Sequence, residues 1–304
     1  MGCAEEKGGI RMESFSNSFK ALGKEVNQHH SLRLPLLKKI RELRDGRTII
    51  SFFISFHRDS PLSQEDADMI EEVLCNQDNT KGITLILDAP GGDGLAAERI
   101  IQICRSYSGN DFETIVPARA KSAATMVCLG SDKIIMSPTS ELGPIDPQVP
   151  YDLGYGPTWV AADEIIKAYD DLFSKAVSLK DGQIAPYLQQ LSTFNSVFVQ
   201  TLRTATGLSK SIAIASLKRG MMKNKSESQI KKKIEPFTNI EFTKSHGRGI
   251  SADDAQKCGL NIDKISPSSE LWKVIWGLYL RSRYVVDMMQ PQKLIETTND
   301  SFIS

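Results

Sequence analysis

An α/β fold with a parallel sheet is predicted by three features of this 304-residue chain. Between residues 48 and 137, apolar runs alternate with amphipathic stretches. The spacers have the length of crossover helices, about 10–15 residues, which is the pattern of βαβ units. One run, "GITLILDAP", is apolar without interruption, as a strand covered on both faces requires.

The elements follow in order. Residues 1–30 are polar, rich in Gly, Ser, Asn, Lys and Glu, and read as an N-terminal arm outside the core. "SLRLPLLKKIRELRDG" reads as a helix stopped by Gly46, and "RTIISFFIS" as the first strand. "SQEDADMIEEVLCNQ" is an amphipathic helix with acidic first-turn residues. "GITLILDAP" is the second strand, "LAAERIIQICRSY" a helix, "FETIVPARA" the third strand. A helix begins near Ser122, and "DKIIMSP" is the fourth strand. "YDLGYGPTW" reads as a loop, and the chain then turns helical from about residue 160 to 222. "KNKSESQIKKKIEP" reads as a solvated lysine face; without interleaved aromatics it does not suit nucleic acid. "ISADDAQKCGL" is a short helix with a glycine stop. "SSELWKVIWGLYLRSRYVVDMM" is a helix apolar on more than one side, expected to dock on the body or on another subunit. The boundaries expected are an arm at 1–30, a main domain at 31–265 and a C-terminal docking helix at 266–304.

Composition narrows the function. Hydrophobic residues are 40% and charged residues 24%, ordinary for a globular chain. The formal net charge is zero, so no basic field points to nucleic acid. No apolar run reaches the roughly 18 residues of a membrane span, and no signal-peptide core follows the N-terminus. Met-Gly-Cys opens the chain, but Glu6 breaks the myristoylation pattern. Five scattered cysteines without CxxC spacing read as reduced thiols in a cytoplasmic protein; Cys75, Cys104 and Cys128 are expected in the core. Neither a metal site nor a cofactor is expected.

Two places carry chemistry. Gly91 and Gly92, in "DAPGGDG", fall at the carboxyl end of the second strand, where parallel α/β folds collect ligands. Glycine lets the backbone approach a ligand with its N–H groups, although Pro-Gly-Gly also makes a tight turn. A phosphate loop is disfavoured because no Gly-Lys-Ser or Gly-Lys-Thr follows. Ser122 falls at the next strand end, where a helix starts. It suits a helix cap, or a nucleophile whose neighbour, Ala123, offers a free N–H for an oxyanion.

"LDAPGGDGLAAERI", "AKSAATMVCLGSDKIIMSPTSELGPIDPQ" and "SHGRGISADDAQKCGL" together resemble the ClpP/crotonase-fold serine peptidases. The nearest resemblance is to the serine dehydrogenase proteinase (SDH) family, related to signal peptide peptidase A and the NfeD-type proteases. It spans about residues 48–262. It implies a ClpP/crotonase-like spiral of parallel βαβ units with a helical C-terminal part. It implies Ser122 as nucleophile, Gly92 and Ala123 as oxyanion donors, and Gly91 and Asp93 beside the substrate.

The general base stays open at this point. The histidine of the Clp proteolytic subunit has no counterpart in "GPIDPQ". Lysine-using relatives place their base on a later helix, which here carries Lys167 and Lys175, two turns apart. A lysine base must be buried enough to be neutral. Lys167 is preferred, then Lys175, with His246, alone or assisted by Asp146, as the rival. The family's habits imply a peptide or unfolded-protein substrate and a homo-oligomer, with any membrane role peripheral. Two other readings remain: a catalytically silent scaffold of the same fold, and a crotonase-like acyl-CoA enzyme.

Overall fold

The computed structural model describes residues 29–304 apart from 153, 155, 180–182, 240, 241, 243–246 and 290. Helix α1 (His30–Leu43) ends as expected at Gly46, whose φ of 83° lets its N–H turn back to the Arg41 carbonyl at 2.8 Å. Strand β1 (Thr48–Ile54) leads to α2 (Gln64–Cys75), where Asp66 accepts the Ser63 N–H at 2.8 Å. Then come β2 (Ile83–Asp88), α3 (Gly94–Tyr107) and β3 (Phe112–Val116). "FETIVPARA" is two strands rather than one. Pro117 has no N–H for a ladder, and the chain resumes as β4 (Arg119–Ala120) in a different sheet.

Helix α4 (Ala123–Leu129) and β5 (Lys133–Met136) follow, then β6 (Glu141–Leu142). The segment expected to be a loop is a hairpin, β7 (Gln148–Asp152) with β8 (Pro157–Ala161). Its turn is organised by Asp152, whose carboxylate accepts the N–H groups of Gly154 and Gly156 at 2.8 and 3.1 Å. Val149, Tyr151 and Val160 pack one face of the hairpin against Ala162, Ile165 and Leu202.

Helices α5 (Ala162–Ser178), α6 (Ala185–Leu191) and α7 (Ser196–Arg219) form the helical part, followed by α8 (Glu227–Lys233) and α9 (Glu235–Thr238). The lysine-rich stretch is more than a solvated face, because Ile230 and Ile234 on its other side enter the main core. Strand β9 (Ile250–Ser251), α10 (Ala252–Lys257) and β10 (Ile262–Lys264) precede the long α11 (Glu270–Met288). The hairpin of β11 (Lys293–Glu296) and β12 (Ser301–Ile303) closes the described chain.

The main sheet has seven strands in the order β10-β5-β3-β2-β1-β11-β12. The first five are parallel, and the final hairpin joins β1 antiparallel. Alternate residues of the strands feed two cores. Phe52, Leu85, Leu87 and Val116 face α2, α3 and α4, whereas Phe53, Ile86 and Ile115 face α1 and α11. This two-sided burial explains the uninterrupted apolar runs.

Helix α11 docks on the body of this chain. It buries Trp272, Ile275, Leu278, Val285 and Val286, and at about 1.5–3 kcal/mol for each fully buried large side chain that face holds it firmly. Cys104 and Cys128 are fully buried, and burial pushes both thiols up to about 12. Cys75, expected in the core, is exposed because it ends α2 on the outer side.

Candidate active site

The site forms where two loops meet. The first leaves β2 as Ala89-Pro90-Gly91-Gly92. Gly91 and Gly92 have φ of 107° and 152°, conformations that side chains resist. Leu62 runs alongside, donating its N–H to the Gly91 carbonyl and accepting the Asp93 N–H, both at 2.8 Å. A Cβ on Gly92 would stand 2.3 Å from the Leu62 nitrogen, so only glycine permits this approach. That pairing directs the Gly92 N–H to the opposite side of the segment.

The second loop carries Ser122. Its φ is 48° and ψ −120°, a strained conformation for a residue with a side chain. Its side chain makes no cap hydrogen bond to α4, although it occupies the capping position. Helix α4 starts instead on main-chain bonds, Ala124 N–H to the Lys121 carbonyl and Met126 N–H to the Ser122 carbonyl. Among the described residues the N–H groups of Gly92 and Ala123 have no acceptor. The two loops touch: a Cβ on Gly91 would lie 2.7 Å from Ser122 Cβ and 3.0 Å from the Ala123 nitrogen.

The elbow is braced on both sides. Ala89 donates to the Arg119 carbonyl and accepts from the Lys121 N–H, at 3.2 and 3.0 Å. Beneath it, Thr125 Oγ1 and the Gly143 N–H both donate to the Ala120 carbonyl, at 2.7 and 2.8 Å. Lys121 pairs with Glu141 at 2.6 Å and packs against Gly143. A cleft of about 840 Å³ opens over the elbow, walled by Phe56, Met126, Ile145, Trp159 and Leu208.

The remaining candidates fall differently. Asp93 borders the cleft, but its carboxylate caps α3, accepting the Leu95 N–H at 2.9 Å. Lys167 and Lys175 are exposed on α5. Lys167 lines a separate cavity of about 1120 Å³, with Lys210, Lys231 and Glu235. Lys175 lines neither cavity. His246 lies outside the described residues, and Asp146 is buried. No lysine or histidine among the described residues lines the Ser122 cleft. Nor does any group of three or more His, Cys, Asp or Glu among them stand ready for a metal ion.

The site thus joins a serine on a strained turn between strand and helix to a neighbouring loop, with one unpaired main-chain N–H on each, in a mixed α/β protein whose main sheet is largely parallel. Residues 35–180, just under half of the chain, match the model of the ClpP-like SDH-type serine proteinases and are similar to that family. An uncharacterized protein of Methanocaldococcus jannaschii is 29% identical over 255 residues, which are 79% of this chain and 77% of that one. A second uncharacterized protein of the same organism is 27% identical over 134 residues, 39% of this chain and 44% of that one. A mutant form of the 1510-N membrane-bound stomatin-specific protease is similar at 17% identity and a TM-score of 0.33, over 66% of this chain and 74% of that one; the likeness is too distant to carry an argument. No described helix is long and apolar enough to cross a membrane.

Sequence reasoning missed several residues that shape this site: Asp88, Arg119, Phe56, Trp159 and, from α11, Arg283. Only Asp88 carried a signal, a carboxylate closing an otherwise apolar strand.

Proposed function

We propose that the chain is a serine peptidase working by acyl transfer, in the cytoplasm, with any membrane role peripheral. Ser122 Oγ attacks the peptide carbonyl carbon. The N–H groups of Gly92 and Ala123 hold the oxygen as it gains charge, while a base takes the hydroxyl proton. The leaving amine takes a proton, and water then cleaves the acyl-enzyme. An extended peptide pairs with the free side of Gly91–Gly92 as an added strand. The observation that carries this reading is the strained Ser122 torsion with its side chain unused as a cap.

A lysine is the favoured base, Lys167 before Lys175, with His246 as the rival. Both lysines are exposed in the single chain, so either works only where association or substrate removes its water. A homo-oligomer belongs to this reading, supported by the exposed Trp159, Phe173, Val177, Leu188 and Val197 around α5–α7.

One competing reading has support of its own. A silent scaffold suits a cleft that no described lysine or histidine lines. Intact-protein mass after fluorophosphonate treatment from pH 6 to 10 separates the two. The peptidase takes one adduct, absent in Ser122→Ala and lost in parallel in one of Lys167→Ala, Lys175→Ala or His246→Ala. No adduct at any pH favours the scaffold.

A further inference from the structure

Beneath the two loops lies a buried charge cluster that the peptidase mechanism does not use. Asp88, the last residue of β2, is fully buried. Its Oδ2 accepts the Arg119 N–H at 3.2 Å. Among the described residues its Oδ1 meets no hydrogen-bond donor; the Arg283 guanidinium stands 3.6 Å away. Arg283 reaches in from α11 and is itself buried. It donates to the Ile54 carbonyl at 2.7 Å and to both Asp287 oxygens at 2.6 and 2.5 Å. Asp287 also accepts the Ser55 hydroxyl at 3.1 Å.

The cluster extends to the cleft wall. The Arg119 guanidinium lies 3.9 Å above the Phe56 ring and that of Arg283 5.1 Å from it. One group of charges thus ties three chain segments: the end of β1 that leads to Phe56, the end of β2 three residues before Gly91, and the start of β4 three residues before Ser122. Gly92 and Ala123, whose amides the proposed mechanism assigns to the oxyanion, hang from the second and third of these.

We propose that Asp88 and Arg283 are positioning residues, holding the Gly91–Gly92 loop and the Ser122 elbow in register so that both amides meet one oxygen. This rests on the peptidase reading and deepens it: α11 becomes a support of the site. Neither residue touches substrate. Each acts through the main chain it holds, and a displacement near 1 Å at such a site is worth about 100-fold in rate.

The pair is pH-sensitive in one direction. Burial pushes the Asp88 carboxyl up to about 6, against the opposing pull of Arg283 and the Arg119 N–H. The groups facing it are Arg283, Asp287 and Tyr279 from α11 and Arg119 from β4. As pH falls through about 6, Asp88 takes a proton and its attraction for Arg283 disappears.

The test follows the rate of fluorophosphonate acylation from pH 5 to 9 on the full chain, for wild type, Asp88→Asn and Arg283→Met. Hydrogen exchange of the peptides spanning 89–94 and 119–124 is measured on the same proteins. The asparagine keeps an acceptor for the Arg119 N–H but carries no charge. Asp88→Asn is expected to acylate about 10–100-fold more slowly above pH 7 and to lose the extra steepness that wild type shows below about pH 6. Arg283→Met is expected to do the same and to raise exchange in those two peptides above the rest of the sheet. Wild-type rates and an unchanged pH profile in both variants overturn the proposal, as does exchange raised uniformly across the sheet. If wild type itself takes no adduct, the peptidase reading falls, and local exchange in the two peptides alone decides whether the pair positions them. If Arg283→Met does not fold, Asp88→Asn decides.

Discussion

Ser122 sits in a backbone conformation that glycine adopts freely and other residues resist, by about 1–3 kcal/mol. Alanine at this position keeps the strain, whereas glycine releases it. Ser122→Gly should therefore be more stable than Ser122→Ala by about 1–2 kcal/mol, or a few °C in melting temperature, with both variants inert to fluorophosphonate. Equal melting temperatures would show that the torsion stores nothing. Gly91 is the complementary case. Its φ of 107° and the 2.7 Å approach to Ser122 Cβ leave no room for a methyl group. Gly91→Ala should push the two loops apart and slow acylation by about 100–1000-fold, the worth of one oxyanion donor. A Gly91→Ala protein acylating at the wild-type rate would remove that loop from the mechanism.

Among the elements, α1 and the final hairpin are held to each other by charge. Arg33 donates to Glu296 through two bonds of 2.6 and 2.8 Å, with both side chains buried. Ser301 adds a third bond to Glu296 at 2.8 Å. Arg33→Met strands a buried carboxylate, which costs about 3–5 kcal/mol. Urea unfolding should show that loss, and added salt should change it little because water does not reach the pair. A loss under about 1 kcal/mol would mean that Glu296 takes up a proton or finds water instead.

For the molecule as a whole, Asp88 links stability to pH. Its carboxyl is raised in the folded chain, from the ordinary 3.8 to about 6, mainly by burial. Between those values the folded state holds a proton that the unfolded state has released, so this residue's contribution is full below about pH 4 and lost as pH rises through 6. Asp88→Asn lacks this dependence. Measured against wild type by denaturant unfolding, it should gain on the order of 2–3 kcal/mol between pH 4 and 7. A constant difference across that range would show that Arg283 compensates the buried charge fully. Subunit assembly belongs to the same scale. Sedimentation should show a species heavier than the 33.7 kDa chain, and Val197→Glu should shift it toward monomer. Wild type sedimenting as a monomer would remove the oligomer from the proposed function.

Local order along the chain was enough for the parallel sheet, its crossover helices, and the two strand ends where Gly91 and Ser122 stand out. Strand and helix periodicities, glycine stops and a short polar residue before a helix are written in neighbouring residues. The β7–β8 hairpin escaped because its turn depends on one Asp152 side chain rather than on an apolar run. Tertiary structure alone decided the rest. It set the Ser122 torsion, brought Gly91 against it, and left Lys167 and Lys175 exposed. It also carried Arg283 from the C-terminal helix to Asp88. Such pairs bridge long stretches of chain, and burial and charge select them only after the sheet has brought them together.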